Sequence, residues 1–298
     1  MLSLYYDPIY TEGLDPSVRF PRERYRLLAE RLQHHPDLHI KRPRAASREE
    51  ILRAHQADYV DNFLAGKLSA ESMRRIGLRP WTPAIVERTR RITGGSLQAL
   101  EDALRTRGIA GNMAGGTHHA YYDCGSGYCI FNDLAICALT ALLQPTIRRV
   151  LILDLDVHQG DGTAAILAGH PDLFTCSIHC ASNFPFRKQQ SDLDVHLADD
   201  TDDRTYLSCL DRTLEKIRPQ DFDLILYQAG VDPLAEDALG KLALTREGLN
   251  RRNQRVLAYN RQHDIPIVIF MGGGYAQPIE ASVDAFEDLF TTAAALSI

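Results

Sequence analysis

A chain of 298 residues, 45% hydrophobic and 24% charged, has the make-up of a soluble globular protein and enough length to bury a core and still carve a pocket. Its formal net charge of −6 argues against a nucleic-acid partner, and no run approaches the roughly 18 apolar residues of a membrane span. Residues 1–10 carry Asp7 and Pro8 where a secretory signal would have an apolar core, so the expected compartment is the cytoplasm. Cys124, Cys129, Cys137, Cys176, Cys180 and Cys209 form no CxxC pair and are expected to be reduced and mostly buried. Cys176 and Cys180 bracket a stretch containing His179, where a small metal site is a minor alternative to plain burial.

In chain order, the first long helical pattern spans residues 83–104, with Thr82 as N-cap and Pro83 at the first helical position. Its Arg88, Arg90 and Arg91 are expected on a solvated face. Gly115-Gly116-Thr117-His118-His119 follows, then a loop rich in glycine and tyrosine (Tyr121, Tyr122, Gly125, Gly127, Tyr128). Residues 132–143 read as an apolar helix. Residues 150–155, 173–178, 224–227 and 265–271 read as buried strands, short β-branched runs bounded by turn or charged residues. Two more helices are expected at residues 205–217 and 245–263, the second with Glu247 favouring its start and with Arg251, Arg252 and Arg255 on a solvated face. Strands alternating with helices predict an open α/β fold around a parallel sheet.

Three of these strands run directly into polar clusters at their carboxyl ends, the edge where open α/β sheets bind ligands. The first cluster is Asp154-Leu155-Asp156-Val157-His158-Gln159-Gly160-Asp161-Gly162. Asp154, Asp156 and His158 are spaced by two, so extended chain puts them on one face. Polar side chains there need a partner, and a divalent cation supplies one; oxygen and nitrogen donors suit Zn²⁺, and Fe²⁺ is compatible with the same set. The second cluster delivers Asp232 within Gly230-Val231-Asp232-Pro233, a natural third ligand beside Asp156 and His158. The third is Gly272-Gly273-Gly274-Tyr275, in which tight backbone presents a phenol able to donate to an oxyanion. His118 and His119 add two imidazoles for proton transfer.

Together these motifs resemble the zinc-dependent histone deacetylase family of the arginase/deacetylase superfamily. The likeness runs from about Tyr5 to the C-terminus, and Tyr6-Asp7-Pro8, Arg19-Phe20-Pro21 and Tyr25 look most like the class IV branch and its bacterial relatives. The resemblance implies one catalytic domain over residues 1–298, a three-layer fold with a central, mostly parallel eight-stranded sheet flanked by helices. It implies that Asp156, His158 and Asp232 hold Zn²⁺, that Asp154 pairs with His118 and Asp161 with His119, and that Tyr275 binds the carbonyl oxygen. It places Gly127, Tyr128, Phe184 and Gly273 along the substrate, and a structural K⁺ site at the carbonyls around Asp154, Asp156, His158 and Ser177. In one place the chain departs from the family: Asn183-Phe184-Pro185-Phe186-Arg187 replaces a longer loop of many relatives, so the pocket rim differs.

The expected reaction is hydrolysis of an acetyl or longer fatty acyl group from the lysine side chain of a protein or peptide. His119 is expected to move the proton and His118 to tune the site, with exchange of their roles left open. One alternative is an acetylpolyamine deacetylase, which calls for rim acids such as Glu12, Asp15, Asp123 or Glu236. A non-catalytic binding protein and a two-manganese ureohydrolase fit less well, because all the ligands and Tyr275 are present. Oligomeric state is not legible.

Overall fold

Apolar runs bury both faces of a strand, and three such runs, beside the mixed strand that begins at Leu173, form the centre of the sheet. The computed structural model describes residues 1–297. The strands are β1 (Leu2–Tyr5), β2 (Leu38–Lys41), β3 (Ile109–Asn112), β4 (Val150–Asp154), β5 (Leu173–Cys180), β6 (Leu193–Leu197), β7 (Leu224–Gln228) and β8 (Ile267–Phe270). They form one sheet in the order β2-β1-β3-β8-β7-β4-β5-β6, and every pairing is parallel. Every residue of β4, β7 and β8 is buried. Side chains alternate between faces, so helices must cover both. Helices Ile85–Thr106 and Asp133–Ala141 contact each other and the central strands; Glu23–Leu32, Asp203–Ile217, Arg246–His263 and Glu280–Leu296 form a second contacting set.

Four strands escape the sequence pattern. β2 and β6 are edges with mixed polar character, and β1 and β3 span four residues each. β3 contains Gly111 because a Cβ there would stand 3.1 Å from Leu4 Cδ2 and 3.2 Å from Phe290 Cε1. β5 runs to Cys180, past the expected end, because Ser177 and His179 pair inside it at 2.9 Å.

Asn132 and Thr245 cap their helices, accepting from Ala135 N–H at 2.9 Å and Gly248 N–H at 3.0 Å. The expected Thr82 cap is not formed. That helix begins at Ile85 after Ala84, and the Thr82 hydroxyl donates instead to Gly13 O at 2.9 Å. Two arginines also depart from expectation: Arg88 and Arg252 are buried, not solvated. Each finds backbone carbonyl acceptors inside, Tyr10 O for Arg88 and the strand-end loops for Arg252. All six cysteines are free, and four of them are buried. Among the described residues, no helix is long and apolar enough to cross a membrane.

Candidate active site

Because the sheet is wholly parallel, the carboxyl ends of β4, β7 and β8 open onto one edge, and their loops converge there. Asp156, His158 and Asp232 each offer a ligand atom, and these atoms lie within 4.8 Å of one another in a fully buried cluster. His158 Nδ1 stands 3.0 Å from Asp156 Oδ1 and 3.1 Å from Asp232 Oδ2. The remaining carboxylate oxygens are held by backbone: Gly273 N–H donates to Asp156 Oδ2 at 2.8 Å and Val157 N–H to Asp232 Oδ1 at 2.9 Å. A Cβ on Gly273 would meet Asp156 Oδ2 at 2.8 Å, so only glycine lets the β8 loop close over the cluster.

Extended chain would have kept Asp154 with Asp156 and His158. Instead the strand ends at Asp154 and the backbone bends, with Asp156 N–H donating to Asp154 Oδ1 at 3.1 Å. The Asp154 carboxylate turns to His118 Nδ1 at 2.7 Å, and Asp161 holds His119 Nδ1 at 2.6 Å. The two rings lie 4.1 Å apart, and the His119 ring lies 5.8 Å from that of His158.

Electrostatics separates the histidines. Burial opposes the charge on His158, but Asp156 and Asp232 outweigh it and lift its pKa to about 10. Burial likewise opposes the charge on His118, and Asp154 and Asp156 raise it to about 9. His119 goes the other way, to about 4, through burial and then repulsion by His118. Burial and the nearby Asp156 push Asp232 up to about 7. Two buried carboxylates this close demand positive charge between them, and an imidazole nitrogen beside them completes a donor set suited to a divalent cation. Burial holds the Tyr275 phenol well above its usual range, so it stays a proton donor.

A cavity of about 650 Å³ leads to the cluster. Its lining includes Phe20, Tyr25, Gly127, Tyr128, Phe184 and Tyr275 beside His118 and His119. Phe184 packs edge-on to His119 with centroids 4.8 Å apart, and Tyr128 lies 6.0 Å from Tyr275. Gly127 (φ +53°) has no room for a side chain, since a Cβ would meet His119 Cδ2 at 2.7 Å. Tyr128 itself adopts φ +66°, a strained value for an aromatic residue, fixed by its N–H donating to Ile76 O at 2.7 Å. Ser177 sits beside Asp154 in the β4–β5 register.

A family model described as "Histone deacetylase domain" matches residues 18–288. The chain belongs to the histone deacetylase family. It is 30% identical to Histone deacetylase 2 of Arabidopsis thaliana over 84% of this chain and 67% of that protein. It is 31% identical to Histone deacetylase B of Dictyostelium discoideum over 81% of this chain and 61% of that one. An uncharacterized protein of Picosynechococcus sp. is 43% identical over 92% of both chains. The solved HDA15 HD domain superposes with a TM-score of 0.84 at 18% identity, covering 98% of this chain and 90% of that one, and so shares its fold. Family membership marks the chain as a hydrolytic deacetylase.

Several residues that shape this deacetylase site escaped sequence reasoning. Asp133, fully buried, accepts from Ser96 Oγ at 2.6 Å, Thr117 N at 2.8 Å and Gly116 N at 3.2 Å, and so orders the loop that carries the tandem histidines. The Asn132 amide donates to Ala120 O at 3.0 Å and His118 O at 3.3 Å, while His55 Nε2 accepts from Asn132 N–H at 2.8 Å. The helix starting near Asn132 was legible; the bonds of Asn132 across the loop had no local signal. Arg24 donates to Gly272 O at 2.9 Å and Gly274 O at 2.8 Å, bracing the glycine run before Tyr275.

Proposed function

We propose that the chain is a zinc-dependent deacylase that hydrolyses the amide of an acylated lysine side chain. One observation carries this reading: three donors from two strand-end loops converge, and two of them, Asp156 and His158, line a cavity together with a histidine pair, Tyr275 and further aromatic rings. Zn²⁺ held by Asp156, His158 and Asp232 supplies Lewis acidity, polarising the acyl carbonyl and acidifying water; Fe²⁺ suits the same donors.

The chain's own residues do the rest. His119 is neutral at pH 7 and its Nδ1 is committed to Asp161, so its Nε2 is the atom left to take a proton from water and return it to the leaving amine. His118, charged through Asp154, favours negative charge developing on the acyl oxygen. The Tyr275 phenol donates to that same oxygen. Tyr128 and Phe184 flank the uncharged aliphatic stem of the lysine and exclude water from it. The cavity, at about 650 Å³ and with Phe20, Tyr25 and Ile92 among its lining, supports acyl groups larger than acetyl.

The lining also argues against a polyamine. Apart from Asp156 and the histidines, its charged side chains are Arg24, Arg75, Arg88 and Lys241, and none of Glu12, Asp15, Asp123 and Glu236 belongs to it. Asp237 lies outside the lining and already accepts the Tyr275, Leu239 and Gly240 N–H groups. A parallel assay of acetyl-lysine peptide, long-chain acyl-lysine peptide and acetylspermidine on zinc-loaded protein tests the reading. Turnover of the peptides well above that of acetylspermidine is expected, and the reverse order would replace this function with the polyamine one.

A further inference from the structure

Arg252 belongs to the helix Arg246–His263, between two arginines that behave as surface residues: Arg251 pairs with Glu247 and Arg255 with Asp211. Arg252 turns the other way and is among the largest fully buried side chains of the described residues. All five of its hydrogen bonds go to neutral oxygens. Its Nη1 donates to Leu155 O at 3.1 Å and Gly230 O at 2.6 Å, and its Nη2 to Ala229 O at 3.1 Å. Its Nε and Nη2 donate to Asn253 Oδ1 at 3.1 and 3.0 Å, and the Tyr227 hydroxyl donates to that same oxygen at 2.7 Å.

The choice of acceptors is informative. Leu155 lies between Asp154 and Asp156. Ala229 and Gly230 lead from β7 to Asp232. Leu155 N–H still donates to Gln228 O at 3.1 Å, extending the β4–β7 ladder by one bond past Asp154. Beyond that bond, among the described residues, no further ladder pairs the two segments, and the planar guanidinium bridges them. A residue needed only to fill this space would be apolar, because desolvation strongly disfavours a buried cation without a carboxylate partner. The planar fork holds carbonyls from two loops on nitrogens at fixed separation, a spacing that the single nitrogen of an ammonium does not set.

We propose that Arg252 sets the separation of the Asp156 and Asp232 carboxylates for a divalent cation, as a positioning residue that never touches the ion. The inference rests on the metal-centre reading above. Arg252→Met and Arg252→Lys proteins, first checked for folding by near-ultraviolet circular dichroism, would be titrated with Zn²⁺ against a chromophoric chelator. Each would also be titrated with Co²⁺, whose visible band reports ligand geometry. The Met variant should bind Zn²⁺ about 10- to 100-fold more weakly and change the Co²⁺ band, as expected when a group that orients ligands is lost. Lysine keeps the charge but not the fork, so it should recover only part of each. Wild-type affinity and band in a folded Met variant would overturn the proposal, and so would full recovery by lysine. If the Met variant does not fold, the Lys variant decides by the same two readouts. If neither folds, Arg252 is a folding determinant and the positioning role is withdrawn. Wild-type protein that binds neither ion would instead refute the metal-centre reading, before any variant is made.

Discussion

Tyr275 touches the cavity through a phenol that burial keeps protonated, and the proposed chemistry asks only that it donate one hydrogen bond. Tyr275→Phe should therefore keep bound zinc and fold normally while kcat falls about 10²- to 10³-fold, the usual loss for one oxyanion donor. Metal analysis beside steady-state kinetics checks this; wild-type turnover removes Tyr275 from the role. Asp232→Ala should behave differently. It leaves two of the three donors and removes the acceptor of the Val157 N–H, so both zinc and turnover should be lost together. Full zinc occupancy in that variant would mean the ligands lie elsewhere.

At the scale of elements, the loop carrying His118 and His119 has no strand or helix of its own and depends on neighbours. Asp133→Ala would leave the Gly116 and Thr117 N–H groups and two hydroxyls without their buried acceptor. A loss on the order of 3–5 kcal/mol is expected, read as a lower urea midpoint. His55 braces the same region with Nδ1 on Tyr121 O at 2.9 Å and Nε2 accepting from Asn132 N–H. Burial lowers its pKa to about 4, against about 6.5 in the unfolded chain. The sign follows directly: a site that needs the neutral ring contributes fully above about pH 6.5 and loses its contribution as pH falls through 4. The wild type should lose about 3 kcal/mol from this group over that window. Denaturation curves from pH 7 to 4 should therefore fall less steeply for His55→Gln, although that variant starts less stable. An equally steep fall would exclude His55 as the sensor.

For the whole molecule, the parallel sheet gathers loops from distant parts of the sequence at one edge, so a bound ion ties together segments more than 70 residues apart, as His158 and Asp232 are. Binding only the folded state stabilises by about 2.7 kcal/mol at a hundredfold excess over Kd. For a chain of this length that predicts a fall of about 5 °C in Tm on chelation, restored by zinc. Calorimetry with and without chelator checks it, and Asp232→Ala should show no such shift.

What the sequence determined by itself was local. Apolar, β-branched runs marked β4, β5, β7 and β8, helical patterns marked the helices at residues 132–143 and 245–263, and the spacing of Asp154, Asp156 and His158 marked a polar strand end, because each of these depends on residues a few positions apart. The short strands β1 and β3 and the edge strands β2 and β6 gave no such pattern, since their pairing energy comes from partners far along the chain. The family resemblance already implied that Asp154 pairs with His118 and that Asp232 joins Asp156 and His158; tertiary structure alone decided that Arg252 enters the core while Arg251 and Arg255 stay outside. Helical periodicity places a residue on a face, but only the packed neighbour decides whether that face meets water or the unpaired carbonyls of two loops.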